Sequence, residues 1–176
     1  MKISAFQLAE EIKLRQVNYK LHSGLWSKYD LSHIDLTFSN WTSIKYLNDD
    51  GTDFSEEISL LPDNQGGIYL FYIKCPIISG ITEFPFYIGR AQLTDGQNLR
   101  KRCREYFTKF AREDERPKIT TMINYWGKEL YLAFKPIDDN NDIIDYEKKL
   151  INSLLLPMND EIPEKEIKQA VKAFQL

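Results

Sequence analysis

Gly67-Ile68-Tyr69-Leu70-Phe71-Tyr72-Ile73, followed by Phe84-Pro85-Phe86-Tyr87-Ile88-Gly89, is the part of this 176-residue chain from which the fold is read. The first run is continuously apolar with β-branched and aromatic residues, which fits a strand covered on both faces. The second is a shorter strand, and Pro85 places its start at a sheet edge, because proline cannot donate to a ladder. Between them, Cys75 to Glu83 contains Pro76 and Gly80 and reads as a connecting loop. Each run carries a tripeptide, Gly67-Ile68-Tyr69 and Tyr87-Ile88-Gly89. Taken alone, each is an ordinary strand end with a half-buried aromatic.

Outward from these strands the pattern turns helical. After a loop containing Gly96, Leu99, Cys103, Tyr106, Phe107 and Phe110 fall on one side of a helix from about Asn98 to Arg112. Pro117 opens a further helix that runs through Trp126 and ends at Gly127, and Leu130 to Phe134 reads as a third strand. Asp142 is the expected cap of a helix from Ile143 to Leu156, stopped by Pro157. The core order is β-β-α-α-β-α, a mixed α/β (α+β) arrangement. Before it, Ser4 caps an expected helix over residues 4–15 with Ala5, Leu8, Ala9 and Ile12 on one face. Ile34 to Phe38 alternates like a strand, and Trp41 to Leu47 continues the apolar surface. Turn chemistry at residues 48–53 and a break at residues 61–66 set a boundary near residue 64. The expected division is therefore an N-terminal α/β extension (1–64), a core domain (65–160) and a C-terminal amphipathic helix (161–176).

Composition narrows the class. With 43% hydrophobic and 28% charged residues the chain reads as a folded protein. No stretch approaches the roughly 18 apolar residues of a membrane span, and the start does not read as a signal peptide. Cys75 and Cys103 lie far apart, which argues against a disulfide framework or a zinc site and for a reducing, cytoplasmic setting. The net charge of −3 hides an uneven distribution. Residues 97–118 hold eight basic side chains against four acidic ones, while both ends of the chain are acidic. On charge alone that helix is either a solvated face or a nucleic-acid surface through Arg100, Lys101, Arg104 and Lys109.

Two side chains stand out on physical grounds. Glu147 lies four residues from both Ile143 and Ile151, in the middle of an apolar stripe. A carboxylate there needs a cation or good donors. It is either one half of a structural ion pair or a ligand for a cation such as Mg²⁺ at the floor of a cleft. Arg102, three residues past Leu99 and four before Tyr106, leans toward the sheet. It is either a packing arginine or a bidentate phosphate clamp.

The order Gly67-Ile68-Tyr69, Tyr87-Ile88-Gly89, a basic helix with an internal arginine, then a helix with a glutamate and a trailing asparagine resembles that of the GIY-YIG nucleases. The string Asn98-Leu99-Arg100-Lys101-Arg102-Cys103-Arg104-Glu105-Tyr106-Phe107 is similar to the corresponding helix of the excision-repair branch, and so is the spacing of Glu147 to Asn159. The resemblance spans about residues 62–160. It implies a small domain with a three-stranded antiparallel sheet flanked by helices. It implies further that Tyr69 is the general base and that Tyr87 orients the water or a phosphate oxygen. Arg102 stabilises charge on the phosphate, and Glu147 holds one Mg²⁺ or Mn²⁺ ion. Gly89 lets the backbone come close to the helix, and Asn159 fixes local structure. Tyr106 stands where many members carry histidine; the repair branch has a tyrosine there, like this chain. Tyr72 replaces a common basic residue, so Lys74 or Arg90 is expected to supply that charge.

The implied activity is hydrolysis of DNA phosphodiester bonds, in restriction or phage defence by size, with a repair or mobile-element nuclease as the alternative. DNA is the expected partner, with a homodimer or a larger defence or repair complex beside it. An inactive scaffold that kept the fold is the reading from another class. Other nuclease types fit worse: His22 and His33 lie outside the core, and the Glu147/Lys149 pair has helical rather than strand spacing.

Overall fold

A computed structural model describes residues 3–173. Its centre is a four-stranded, wholly antiparallel sheet in the order β1-β4-β2-β3, formed by β1 (Thr42–Lys45), β2 (Gly66–Lys74), β3 (Glu83–Ala91) and β4 (Leu130–Ile137). The helices are α1 (Ala5–Leu14), α2 (Ser23–Trp26), α3 (Leu99–Ala111), α4 (Pro117–Trp126), α5 (Asn140–Leu154) and α6 (Lys165–Ala173).

The sheet holds one strand more than expected, and the addition comes from the N-terminal region. Thr42–Lys45 pairs with β4, Thr42 opposite Phe134. Tyr46, Leu47, Ile58 and Leu61 are buried in the same cluster as Tyr69 and Phe71. The packing therefore runs across position 64. Ile34 to Phe38, expected as a strand, is not one. The Asp35 carboxylate accepts from the Thr37 N–H at 2.9 Å and from the Asn40 amide, which turns the chain locally into a short 3-10 helix at Phe38–Asn40. Ile34 and Leu36 instead pack beside α5.

β2 is central and covered on both faces, as its unbroken apolar run requires. Ile68 joins Ile88, Leu150, Ile151 and Leu156 on the α5 side. Tyr69, Phe71 and Ile73 face the other way, into the cluster with Leu99, Cys103, Tyr106 and Met122 from α3 and α4. Gly67 permits the close β2–β4 pairing, because a Cβ there would collide with the Lys135 carbonyl. β3 is the edge strand that Pro85 foretold.

Helix α3 starts where Asn98 accepts from the Lys101 N–H at 2.8 Å. Two N–H groups of its first turn are satisfied by carbonyls of the preceding break, Leu99 by Gln65 and Arg100 by Pro62, both at 3.0 Å. Helix α5 begins earlier than expected. Its cap is Asp139, which accepts from Asn141 at 2.6 Å and Asp142 at 3.3 Å, and Leu155 closes it in a left-handed conformation with φ of 47°. Helix α1 forms with the expected Ser4–Gln7 capping box, yet buries none of its residues, so its apolar face stays exposed. No helix among the described residues is long and apolar enough to cross a membrane.

Candidate active site

The edge position of β3 makes the site possible. Along its free edge the segment after α5 stands in for a missing strand: the Met158 N–H donates to the Phe86 carbonyl at 3.0 Å. The Asn159 side chain then satisfies both backbone groups of Ile88, accepting from its N–H at 3.1 Å and donating to its carbonyl at 2.8 Å. Beside this cover lies a cleft of about 350 Å³, where side chains from both faces of the sheet meet. Tyr69 and Tyr87 reach it from one face. Arg90, cross-strand from Ile68, and Glu147 of α5 reach it from the other. Arg102 of α3 and Arg116, just before α4, complete the basic side.

The hydroxyl groups are ordered by a third tyrosine. Tyr106 lies behind the cleft, its OH 2.7 Å from that of Tyr69, and donates to Tyr87 at 3.1 Å. A phenol has one proton, so Tyr106 must accept from Tyr69. Arg102 donates to the same Tyr106 oxygen at 3.3 Å and to Glu105 at 2.8 Å. Burial raises Tyr69 and Tyr106 well above the ordinary phenol range; at Tyr69 both neighbouring tyrosines add to the rise, while at Tyr106 Tyr87 adds to it and Arg102 and the hydrogen bond from Tyr69 oppose it.

Gly89 has a different task from the one the sequence suggested. A Cβ there would lie 2.6 Å from the Tyr69 hydroxyl and 2.7 Å from its Cζ. The glycine is the space into which the Tyr69 ring extends across β3.

Helix α3 is held at its centre by Tyr46. This buried phenol donates to the Cys103 carbonyl at 2.6 Å and accepts from the Phe107 N–H at 3.2 Å, the two groups a helix pairs with each other. The tie lies next to Arg102 and Tyr106, and it comes from the region before residue 64.

Glu147 is largely buried and pairs with Arg90. Desolvation nonetheless keeps its carboxyl above the usual carboxylate range, with Arg90 opposing the shift. No group of three or more His, Cys, Asp or Glu side chains among the described residues is placed to hold a metal. Of the carboxylates lining the cleft, Asp160 pairs with Lys118 and Glu161 with Lys168, so Glu147 is the one that would hold an ion such as Mg²⁺, which needs only one or two carboxylates and keeps several waters. Arg90 would then have to leave it.

Other expected residues fall elsewhere. Lys74 ends β2 about 17 Å along the strand from Tyr69, where it faces Glu83 at 3.9 Å and the Tyr131 ring. It cannot supply charge to the cleft, because the strand carries it away. Arg100 donates to the Leu61 and Ser59 carbonyls at 2.7 and 3.1 Å and pairs with Asp63 at 2.8 Å, tying α3 to the preceding break. Lys101 donates to the Gly96 carbonyl, Arg104 covers the Phe54 ring, and Lys109 is exposed near the end of α3. None of these four lines the cleft.

Arg116 was not singled out in the sequence. Its guanidinium lies 5.6 Å from the centroid of the Tyr87 ring, and its nearest carboxylate is its neighbour Glu115 at 3.5 Å. Its sequence signals were its membership of the basic stretch 97–118 and its place immediately before the helix-opening Pro117. Comparison of the chain with known protein families, with curated proteins and with solved structures returns no match.

Proposed function

We propose that this protein is a metal-dependent endonuclease of the GIY-YIG type that hydrolyses DNA phosphodiester bonds. One observation carries the reading. Tyr69, Tyr87, Arg102, Glu147 and Asn159 are spread over ninety positions of sequence, yet all line a single cleft. Independent structural roles for five such residues give no reason for that convergence.

In this reading Arg102 and Arg116 take the non-bridging oxygens of the scissile phosphate and stabilise the charge that builds on them. Glu147 would hold one Mg²⁺ or Mn²⁺ ion in place of its pairing with Arg90, and that guanidinium would be free to face the phosphate. When bound, the ion would supply Lewis-acid polarisation of the phosphate. Tyr69 accepts the proton of the attacking water. Because burial disfavours a free phenolate, Tyr69 passes its own proton to Tyr106 as it does so, Tyr106 passes its own to Tyr87, and Tyr87 gives its proton to the leaving oxygen of the broken phosphodiester bond. Restriction or phage defence is the role we propose, with repair or mobile-element cleavage as the other roles for the same chemistry.

The Arg90–Glu147 pair favours a second reading, an inactive scaffold in which the glutamate serves packing alone. A cleavage assay decides between them: plasmid, single-stranded and branched DNA with Mg²⁺ or Mn²⁺, wild type against Glu147→Ala and Tyr69→Phe. Cutting that both substitutions abolish supports the nuclease. A wild type that cuts none of the three substrates removes it, and cutting that survives Glu147→Ala removes the site assignment.

A further inference from the structure

We infer that the strand cut in this cleft continues past Asn159 and Asp160 into a second, lysine-lined groove. The N-terminal segment and the C-terminal helix would then hold its flanking phosphates. The inference rests on the nuclease reading and deepens it, because it says where the substrate lies beyond the scissile bond.

The groove has a volume of about 250 Å³ and shares Ile151, Asn159 and Asp160 with the cleft, so the two are continuous across one ridge. Four lysines line it from three separate parts of the chain: Lys20, Lys118 of α4, and Lys168 and Lys172 of α6. Asp160 is the one acidic residue among its lining. In a chain of net charge −3 that imbalance is not average surface. The groove adjoins the four basic side chains of the cleft, Arg90, Arg102, Arg116 and Lys148, which stand there against Glu147, Asp160 and Glu161.

The lysines differ in how far they are engaged. Lys118 is fixed by Asp160 at 3.0 Å and the Pro157 carbonyl at 3.1 Å, which builds the ridge itself. Lys168 meets Glu161 at 3.2 Å, but that carboxylate is 84% exposed, and such pairs hold little energy. Lys20 and Lys172 form no ion pair among the described residues. Ammonium groups without strong partners neutralise phosphates without reading bases, which is what the flank of a cut strand requires. The basic face of α3 is a poorer track, since Arg100, Lys101 and Arg104 already have partners within the chain.

The test is fluorescence anisotropy of labelled single-stranded and duplex DNA of about 25 nucleotides, longer than a single-strand site of roughly 4–16, in EDTA so that nothing is cut. Wild type is compared with Lys20→Gln/Lys168→Gln/Lys172→Gln and with the α3-face variant Lys101→Gln/Lys109→Gln. All five positions are surface lysines, and a thermal melt confirms that each variant is folded. Three lost phosphate contacts should make the plot of log affinity against log salt shallower by about 2–3 and weaken binding at least tenfold at low salt. A groove variant with wild-type slope and affinity overturns the inference, and so does a loss that follows the α3 variant instead. If the wild type binds and cuts while the groove variant behaves like it, only the inference fails. If the wild type neither binds nor cuts DNA, the nuclease reading falls with it.

Discussion

Replacing Gly89 by alanine tests the central geometric claim about the site. The new methyl carbon would stand 2.6 Å from the Tyr69 hydroxyl, 2.7 Å from Cζ and 2.9 Å from Cε2. Comfortable carbon–carbon contacts lie at about 3.5–4.0 Å, so the ring must retreat by roughly 1 Å. It has little room to do so. Tyr69 is fully buried, and its hydroxyl is held 2.7 Å from that of Tyr106. Overpacking of this kind costs about 1–3 kcal/mol, and weakening the buried hydroxyl contact adds about 1 kcal/mol. Alanine's smaller unfolded-state entropy returns about 0.4–1 kcal/mol. The expected net loss is about 1–3.5 kcal/mol, centred near 2, read as a lower midpoint in urea unfolding at unchanged slope. In a Tyr69→Leu background the obstructing ring is gone, so the same Gly89→Ala change should cost less than about 0.5 kcal/mol. The double-mutant cycle then shows a coupling of about 2 kcal/mol. An equal cost in both backgrounds, or no cost in the wild type, would refute the assignment of Gly89 as the space for Tyr69.

Other perturbations reach different parts of the structure. Asn159→Ala leaves both backbone groups of Ile88 without their partner and should destabilise by about 1–3 kcal/mol in the same unfolding assay; Asn159→Asp should fare no better, since it keeps the acceptor but loses the donor. Tyr46→Phe removes the hydroxyl that bridges Cys103 and Phe107, with an expected cost of about 1–2 kcal/mol and a loosened α3, visible as faster amide exchange around Arg102 and Tyr106. Because the folded protein holds Glu147 above the ordinary carboxylate value, it keeps a proton there that the unfolded chain has released. Stability from this group is therefore present at low pH and declines as pH rises through the window between the two values, and Glu147→Gln should flatten that part of the profile. Over the same window cation binding should strengthen with rising pH, because only the ionised carboxylate is a ligand; titration with Mn²⁺ that shows no pH dependence would count against Glu147 as the metal residue.

The central strands, the helices of the core and their order follow from local chemistry that a sequence displays. An apolar run, a proline at a strand start, a cap before a periodic stripe and a proline after it each act within a few residues. Glu147 and Arg102 were visible for the same reason, as charges placed on apolar faces. What tertiary structure alone decided is everything that depends on separate segments meeting. β1 has no strong signal of its own and becomes a strand because β4 offers a partner. Ile34 to Phe38 has strand-like alternation but yields to the Asp35 turn. Arg90 is drawn to Glu147 by the desolvation of a carboxylate 57 positions away, while Lys74, on the same sheet, is carried out of reach by the rise of β2. Gly89 shows the difference most plainly: the sequence marked the residue, but its purpose could be named only once the Tyr69 ring was seen lying across it.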